Sequence, residues 1–556
     1  MALRNSTPLK LAPFTACDTL DSTDNPPGSM SALTNLIPDP STKNLFQCRP
    51  AAIRLLAAAD FAGAGFTNPG FISVAMIVGD QVYGMIACDK VPGHDSPFAY
   101  NLQTQAFVTV TGTQDATTLP VSPAATGAWV PPTMDLIGVK VTLTHPGFTG
   151  ASSIYVAWID VTDPAAPDYT AGDLTGMTTF TTPPSFVKNF NQRAYYLVNP
   201  PTGQPSAVFS DPLLPDTATN ANQAFTFGDN VPLTALGALG VNTQLTGAVT
   251  QSLIVFKGVS GMFQITGDPT AGVGGTSTIS INALSITTGT LAPLGICSTP
   301  KGLAFISPDG VRVISLDTTV SDPIGVAGQG VTIPFIYSVV PSRMVAACGG
   351  NVMRISTQNG AAIGSPQQEW WFDFARTIWT GPHTFASSLC LPYQNTFIKT
   401  PIGITAAFYQ SDVVQNALST FSENGQLLNW QAQFALFPDT DQMAQNAMVE
   451  TTLYLALSAS SGAVSCYAFD PDGTVLDTVQ VSITGQVTLW GQFQWGQAVW
   501  LGASSALAPR QLPWTIPIVF QRLGLAATGS SAAGVKVGRL HLRYEKLGYL
   551  LPVVAA

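Results

Sequence analysis

Paired carboxylates are the side chains of this sequence most able to do chemistry. Asp160 precedes Asp163, Asp439 precedes Asp441, and Asp470 precedes Asp472 at short spacing. Two carboxyl groups flanking a glycosidic bond share the roles of general acid and of base or nucleophile. That chemistry depends on their separation in space, which spacing along the chain does not give. Asp163 and Asp470 each precede a proline, a context that favours turns. Asp470-Pro471-Asp472-Gly473 lacks the later ligands of a calcium loop and reads as a turn between strands. Gly272-Val273-Gly274-Gly275 resembles half of a dinucleotide loop, but no helix follows to hold a phosphate. No nucleophile elbow, Walker loop or paired-His zinc motif occurs. The seven cysteines, Cys17, Cys48, Cys88, Cys297, Cys348, Cys390 and Cys466, are scattered and odd in number. They read as buried thiols and not as a disulfide framework. The expectation is a protein without enzymatic activity, metal or cofactor.

Two further patterns concern binding. Trp490, Trp495 and Trp500 recur every five residues. A sugar platform is conceivable, but buried hairpin aromatics are the favoured reading, since Trp carries a large apolar payload. Near the end, Val535, Val537, Leu540, Leu542 and Tyr544 alternate with polar residues, and the alternation slips at Gly538-Arg539. A one-residue slip would turn the core face outward. A bulge at Gly538 restores it and places Lys536, Arg539, His541 and Arg543 on one face. That face suits an acidic partner, or this domain's own acids.

Charge is sparse and unevenly placed. Lys plus Arg number 22 and Asp plus Glu 32, a formal net charge of -10. Charged residues make up 10% of the chain, against roughly 25% in ordinary soluble domains. From Thr400 to Trp500 there is no Lys or Arg, and eight acids, including Asp412, Glu423, Asp439 and Asp441. These four acids are expected to face solvent or a channel. From 501 onward six bases stand against Glu545 alone. A basic nucleic-acid binder is excluded by the overall sign. A disordered chain is excluded by 46% hydrophobic residues, and a helical bundle by 50 Gly and 42 Pro. Mean hydropathy is +0.26, yet no apolar run approaches the ~18–20 residues of a spanning helix. Met1-Ala2-Leu3-Arg4-Asn5 leads into no apolar signal core. High hydropathy without a membrane segment points to extensive contact with other protein chains.

The elements that must position these residues are strands joined by tight turns. Hairpins are expected at 71–87, 194–209, 253–265, 304–314 and 344–355. Short helical turns are expected at 54–59 and 439–448. The hairpins recur every 40 to 60 residues or so, the spacing of four-stranded sheets stacked radially. The 556 residues therefore read as an all-β chain: an irregular N-terminal arm (1–60), a β-propeller (61–400) with an inserted β subdomain near 100–180, and a C-terminal β-sandwich-like domain (401–556). Deleting residues 1–45 is expected to spare the β fold.

The stretch Pro27-Gly28-Ser29-Met30-Ser31-Ala32-Leu33-Thr34-Asn35-Leu36-Ile37-Pro38 resembles the start of the tail nozzle proteins of short-tailed bacteriophages, also called packaged-DNA stabilisation or tail accessory proteins. Ser252-Leu253-Ile254-Val255-Phe256-Lys257-Gly258, Gly302-Leu303-Ala304-Phe305-Ile306-Ser307-Pro308-Asp309-Gly310, Glu369-Trp370-Trp371-Phe372-Asp373-Phe374 and Leu540-His541-Leu542-Arg543-Tyr544 add to the resemblance. The family's Arg-Pro-Gly stands here as Arg49-Pro50-Ala51. The resemblance implies a structural protein of the virion tail, assembled in the host cytoplasm. Six copies would form a ring below the portal and its adaptor protein. A tail needle or plug would close the distal end, spikes or fibres would attach at the side, and double-stranded DNA would pass without tight binding. No membrane contact is expected in the assembled state. An acidic lumen suits DNA passage, because a basic one would hold phosphates through counterion release. The competing readings are a propeller glycan hydrolase and a receptor-binding tail protein.

Overall fold

The computed structural model describes residues 7–11, 30–39, 45–122, 130–148, 154–174, 180, 182–219, 223–240, 251–267, 279–324, 340–358, 367–401, 406–411, 422–423, 426–437, 444–457, 462–483, 508–531 and 535–549. The chain folds as an almost entirely β structure, a propeller joined to a β-sandwich.

Each expected hairpin is present. Ile72–Val78 pairs with Gln81–Ala87 around Gly79-Asp80, where Gly79 has φ +61°. That left-handed value is the reason for glycine in the turn. Arg193–Val198 pairs with Ser206–Phe209, Gln251–Lys257 with Met262–Thr266, Gly302–Ser307 with Gly310–Ile314, and Val345–Gly349 with Val352–Gln358. Further strands extend these five hairpins into five sheets, and two more sheets complete a set of seven among the described residues.

Blade 1 runs from Ile72–Val78 out to Ala106–Val108, blade 2 from Thr133–Ile137 to Asp168–Asp173, and blade 3 from Phe186–Phe190 to Ala224–Thr226. Blade 4 runs from Leu233–Gly240 to Ser280–Ser285, and blade 5 has, among the described residues, three strands from Ile296–Thr299 to Gly310–Ile314. Blade 6 runs from Val345–Gly349 to Ile378–His383, and blade 7 starts at Ser387–Tyr393. The first strand of every blade touches the first strand of the next, and that of blade 7 touches that of blade 1, so the ring closes. Blades stacked on both sides bury both faces of a strand. Arg193–Val198 and Gly302–Ser307 are buried at every position, and the apolar–polar alternation of a half-exposed strand is lost there.

Four expectations change. The sheet within the insert expected near 100–180, from Thr133–Ile137 to Asp168–Asp173 with Thr111–Gly112 at its edge, occupies a blade position: Thr133–Ile137 lies between the first strands of blades 1 and 3. The expected helical turn at 54–59 is replaced by the strand Ile53–Leu56, which pairs with Phe408–Ser411 as the outermost strand of blade 7. Ring closure outweighs the helix propensity of Leu and Ala, and the helix starts later, at Ala58–Gly63. The part of 439–448 within the described residues is strand, since Ala444–Leu457 pairs along its length with Val535–Tyr549.

The fourth change concerns the arm. Its described residues are mostly strand, and the strands from Thr7 to Cys48 belong to the C-terminal sandwich. One sandwich sheet runs Leu36–Pro38, Phe46–Cys48, Val535–Tyr549, Ala444–Leu457, Ala508–Gln511, with Thr7–Leu11 also on Val535–Tyr549. The other runs Met30–Thr34, Gln426–Phe434, Gly524–Ser531, Gly462–Phe469, Val475–Ile483. A single apolar cluster includes Met30, Leu33 and Leu36 of the arm, Trp430, Leu453 and Leu540 of the sandwich, and Ile306, Trp370 and Trp379 of blades 5 and 6. The arm is the joint between propeller and sandwich.

Candidate functional site

The propeller axis is the first place to look for chemistry. The seven first strands enclose a cavity of about 230 Å³, lined by Val74, Met134, Val187, Leu236, Ile296, Val345 and Leu389, one from each blade. Thr133, Lys188, Cys297, Ser298 and Cys390 supply polar lining. The lining contains no Asp or Glu. Lys188 is paired at 2.8 Å with Asp135. The carboxylate of Asp135 also accepts the backbone N–H groups of Leu136 and Asn189 at 2.9 and 2.8 Å. Burial raises the Cys390 thiol to about 12 and Cys297 well above its ordinary value, which leaves neither as a thiolate nucleophile near neutral pH.

The described members of the carboxylate pairs are turn-formers. Asp160 accepts the backbone N–H and hydroxyl of Thr162 at 2.9 and 2.6 Å. Asp163 accepts the N–H of Ala165 at 2.9 Å. Asp470 accepts the N–H of Thr474 at 2.8 Å in a turn where Gly473 has φ +82°. Asp412, Asp439, Asp441, the tryptophans 490, 495 and 500, the Gly272–Gly275 run and Cys17 lie outside the described residues. Glu423 is in a two-residue strand, Ser422–Glu423, and its side chain is outside the description. The other six cysteines are free thiols.

The C-terminal basic strand carries the bulge. Leu540 stands opposite Leu453 and Val537 opposite Leu455, so three steps on one strand match two on the other. Val535, Val537, Leu540 and Leu542 are all buried as a result. Lys536 is paired at 2.6 Å with Asp39 of the arm, whose side chain is fully buried. His541 meets the ring of Tyr454 edge-on at 5.0 Å. Arg543 lies 3.5 Å from Glu450, with 46% and 39% of the two side chains exposed. The side chain of Arg539 is outside the described residues. Two of the four expected docking residues thus face acids of the same chain.

The densest constellation of charge lies elsewhere, where blades 6 and 7 meet the arm. Glu369 is paired at 2.7 Å with Lys399, and both side chains are 1% exposed. The indole N–H of Trp371 and the hydroxyl of Ser387 donate to the same carboxylate at 2.6 and 3.1 Å. Arg354 approaches it at 4.0 Å, and its guanidinium lies between the rings of Trp371 and Phe397, 3.8 and 4.1 Å from their centres. Burial pushes the Glu369 carboxyl up, but Lys399 and Arg354 overcome this and hold it below its ordinary value. His383 completes the junction. Its Nδ1 accepts the backbone N–H of Asn35 at 3.0 Å, so its ring proton sits on Nε2, beside the Thr380 hydroxyl at 3.2 Å. Burial, then Arg49, Arg354 and Lys399, hold His383 well below its ordinary value. The side-chain amide of Asn35 donates to the Asn429 carbonyl of the sandwich at 2.6 Å and to Thr384 at 2.9 Å, and its oxygen accepts from Arg49 at 2.8 Å.

This arrangement is buried and offers no access: the single carboxylate of Glu369 sits between two cations, Lys399 and Arg354, inside packed aromatic walls. Its contacts join blades 6 and 7, the arm and the sandwich. The sequence signal that could have found it is a charge flanked by large apolar residues, as in Glu369-Trp370-Trp371-Phe372 and Phe397-Ile398-Lys399.

No known family and no curated protein matches this chain. Solved structures are similar to it at low identity. The β-propeller domain of Cps50 (Swd1) from Myceliophteria thermophila is 13% identical, with 62% of this chain on 100% of that one and a TM-score of 0.34. A prolyl endopeptidase is 13% identical, with 77% of this chain on 55% of that one and a TM-score of 0.34. A glycoside hydrolase family 43 arabinoxylan arabinofuranohydrolase from Bacillus subtilis is 10% identical, with 87% of this chain on 96% of that one and a TM-score of 0.26. The similarity at these identities concerns the fold. Among the described residues no helix is long and apolar enough to cross a membrane.

Proposed function

We propose that this chain is a structural protein of a short phage tail, a nozzle subunit that forms a ring, continues the DNA conduit below the portal and adaptor, and helps retain packaged DNA. The observation that carries the reading is the axial cavity. Its lining mixes apolar with neutral polar side chains and one lysine neutralised by Asp135, and it contains no Asp or Glu. A cavity of about 230 Å³ is also far too small for duplex DNA, so any conduit lies between subunits. The net charge of -10 suits such a conduit, because it repels phosphate instead of binding it. Exposed apolar side chains offer contact area between subunits: Ile286 is 78% exposed, and Leu291 and Val259 are exposed as well. The sequence resemblance supplies the ring, the adaptor, the needle and the spikes.

Native mass and end-on images of the purified protein, with and without its virion neighbours, test this. A ring, six-fold by expectation, supports it. A trimer at the tail periphery supports a receptor-binding protein instead. Cleavage of a host-surface polysaccharide by the purified chain supports a hydrolase.

A further inference from the structure

The N-terminal strand Thr7–Leu11 is one of the edge strands of the sandwich, held through a single neighbour. Among the described residues it pairs with Leu540–Tyr544 of the C-terminal strand alone, in the register Thr7 opposite Tyr544, Lys10 opposite His541 and Leu11 opposite Leu540. The same edge is covered further along by Phe46–Cys48, which pairs at Val537 and Lys536. Without Thr7–Leu11 the edge at 540–544 is an open row of backbone donors and acceptors, a template for a strand from another chain. Eighteen positions, 12–29, separate Thr7–Leu11 from Met30–Thr34, which belongs to the opposite sheet. That length spans up to about 60 Å when extended.

We propose that Thr7–Leu11 is an exchange strand, which in the assembled oligomer pairs with Leu540–Tyr544 of an adjacent copy of this chain. The proposal rests on the ring reading. Exchange costs little, because the same backbone bonds form to a neighbour as within one chain. In a free subunit, the tether keeps the chain's own edge at the higher effective concentration, and the strand stays at home. In a ring the neighbour's edge is equally local, and giving and receiving around a closed cycle leaves no edge open. Head-to-tail donation also fits a rotationally symmetric ring, in which each copy uses one surface to give and another to receive.

Two full-length chains test this, one carrying Lys10→Cys and the other His541→Cys, mixed before assembly and oxidised. A mixed disulfide at twice the chain mass, formed in the oligomer fraction, lost on reduction and absent from the monomer fraction and from either chain alone, is the expected result. Pro8→Cys with Arg543→Cys probes a second point of the register and guards against a local failure of the first pair. A chain carrying Lys10→Cys and His541→Cys together that assembles normally but closes only within itself overturns the exchange and leaves the ring reading intact. A chain that is monomeric by native mass at every concentration and closes only within itself overturns both.

Discussion

The backbone N–H of Asn35 donates to Nδ1 of His383 at 3.0 Å, across 348 positions of the chain. Asn35 adopts φ +55° to do so, a left-handed conformation that Asn tolerates better than most residues. One residue thereby ties the arm to blade 6, to Arg49 and, through Asn429, to the sandwich.

Asn35→Ala removes the side-chain bonds and strains the backbone. The expected loss is about 3–5 kcal/mol, from hydrogen bonds of ~1 kcal/mol each and ~1–2 kcal/mol for a left-handed non-glycine residue. Asn35→Gly keeps the conformation and loses only the bonds, so its urea midpoint should fall between that of the Asn35→Ala variant and that of the wild type.

Glu369→Gln leaves Lys399 and Arg354 buried without their counter-charge, and should cost about 3–5 kcal/mol. The wild-type pair also sets an acid limit. Because Lys399 and Arg354 hold Glu369 below its ordinary 4.5, the stability it contributes is present above that value and lost as pH falls through the folded value. Unfolding by denaturant across the acid range should show this limb in the wild type and lack it in the variant.

Asp95 behaves in the opposite sense. Its side chain is fully buried in blade 1, and one carboxylate oxygen accepts the Ser122 hydroxyl at 2.8 Å while the other has no hydrogen-bond partner. Burial raises its carboxyl to about 7, against the lowering effect of Ser73 and Ser122. The native state prefers the protonated form, so stability is full below the unfolded value of 3.8 and declines as pH rises towards about 7. Asp95→Asn should flatten that decline, and its gain over wild type should be larger at about pH 8 than at about pH 5. Equal gains at both would place the effect in packing instead.

Deleting residues 1–45 should destabilise the sandwich, contrary to the expectation from sequence that the arm is separable. It removes Met30–Thr34 and Leu36–Pro38 from the two sheets, takes Asp39 from Lys536, and exposes apolar partners of Met30, Leu33 and Leu36. Thermal unfolding of the truncated chain should begin earlier and with lower cooperativity than that of the full chain. Retention of the full-length melting curve would mean that the arm's strands are dispensable.

What the sequence determined by itself is local. Tight turns such as Gly79-Asp80 and the bulge at Gly538 were legible because turn chemistry and the two-residue period of strands act over a few neighbouring residues. The same logic showed an all-β chain without a catalytic motif. What only the tertiary structure decided is which distant strands meet. The pairing of Ile53–Leu56 with Phe408–Ser411, the blade position of the sheet from Thr133–Ile137 to Asp168–Asp173 and the entry of the arm into the sandwich rest on backbone hydrogen bonds, and those carry no side-chain signature. The Glu369–Lys399–Arg354 cluster needed the fold for the same reason. Each charge is an isolated break in an apolar strand until ring closure and the arm bury it beside its partners, where low dielectric makes the pairing strong and its absence costly.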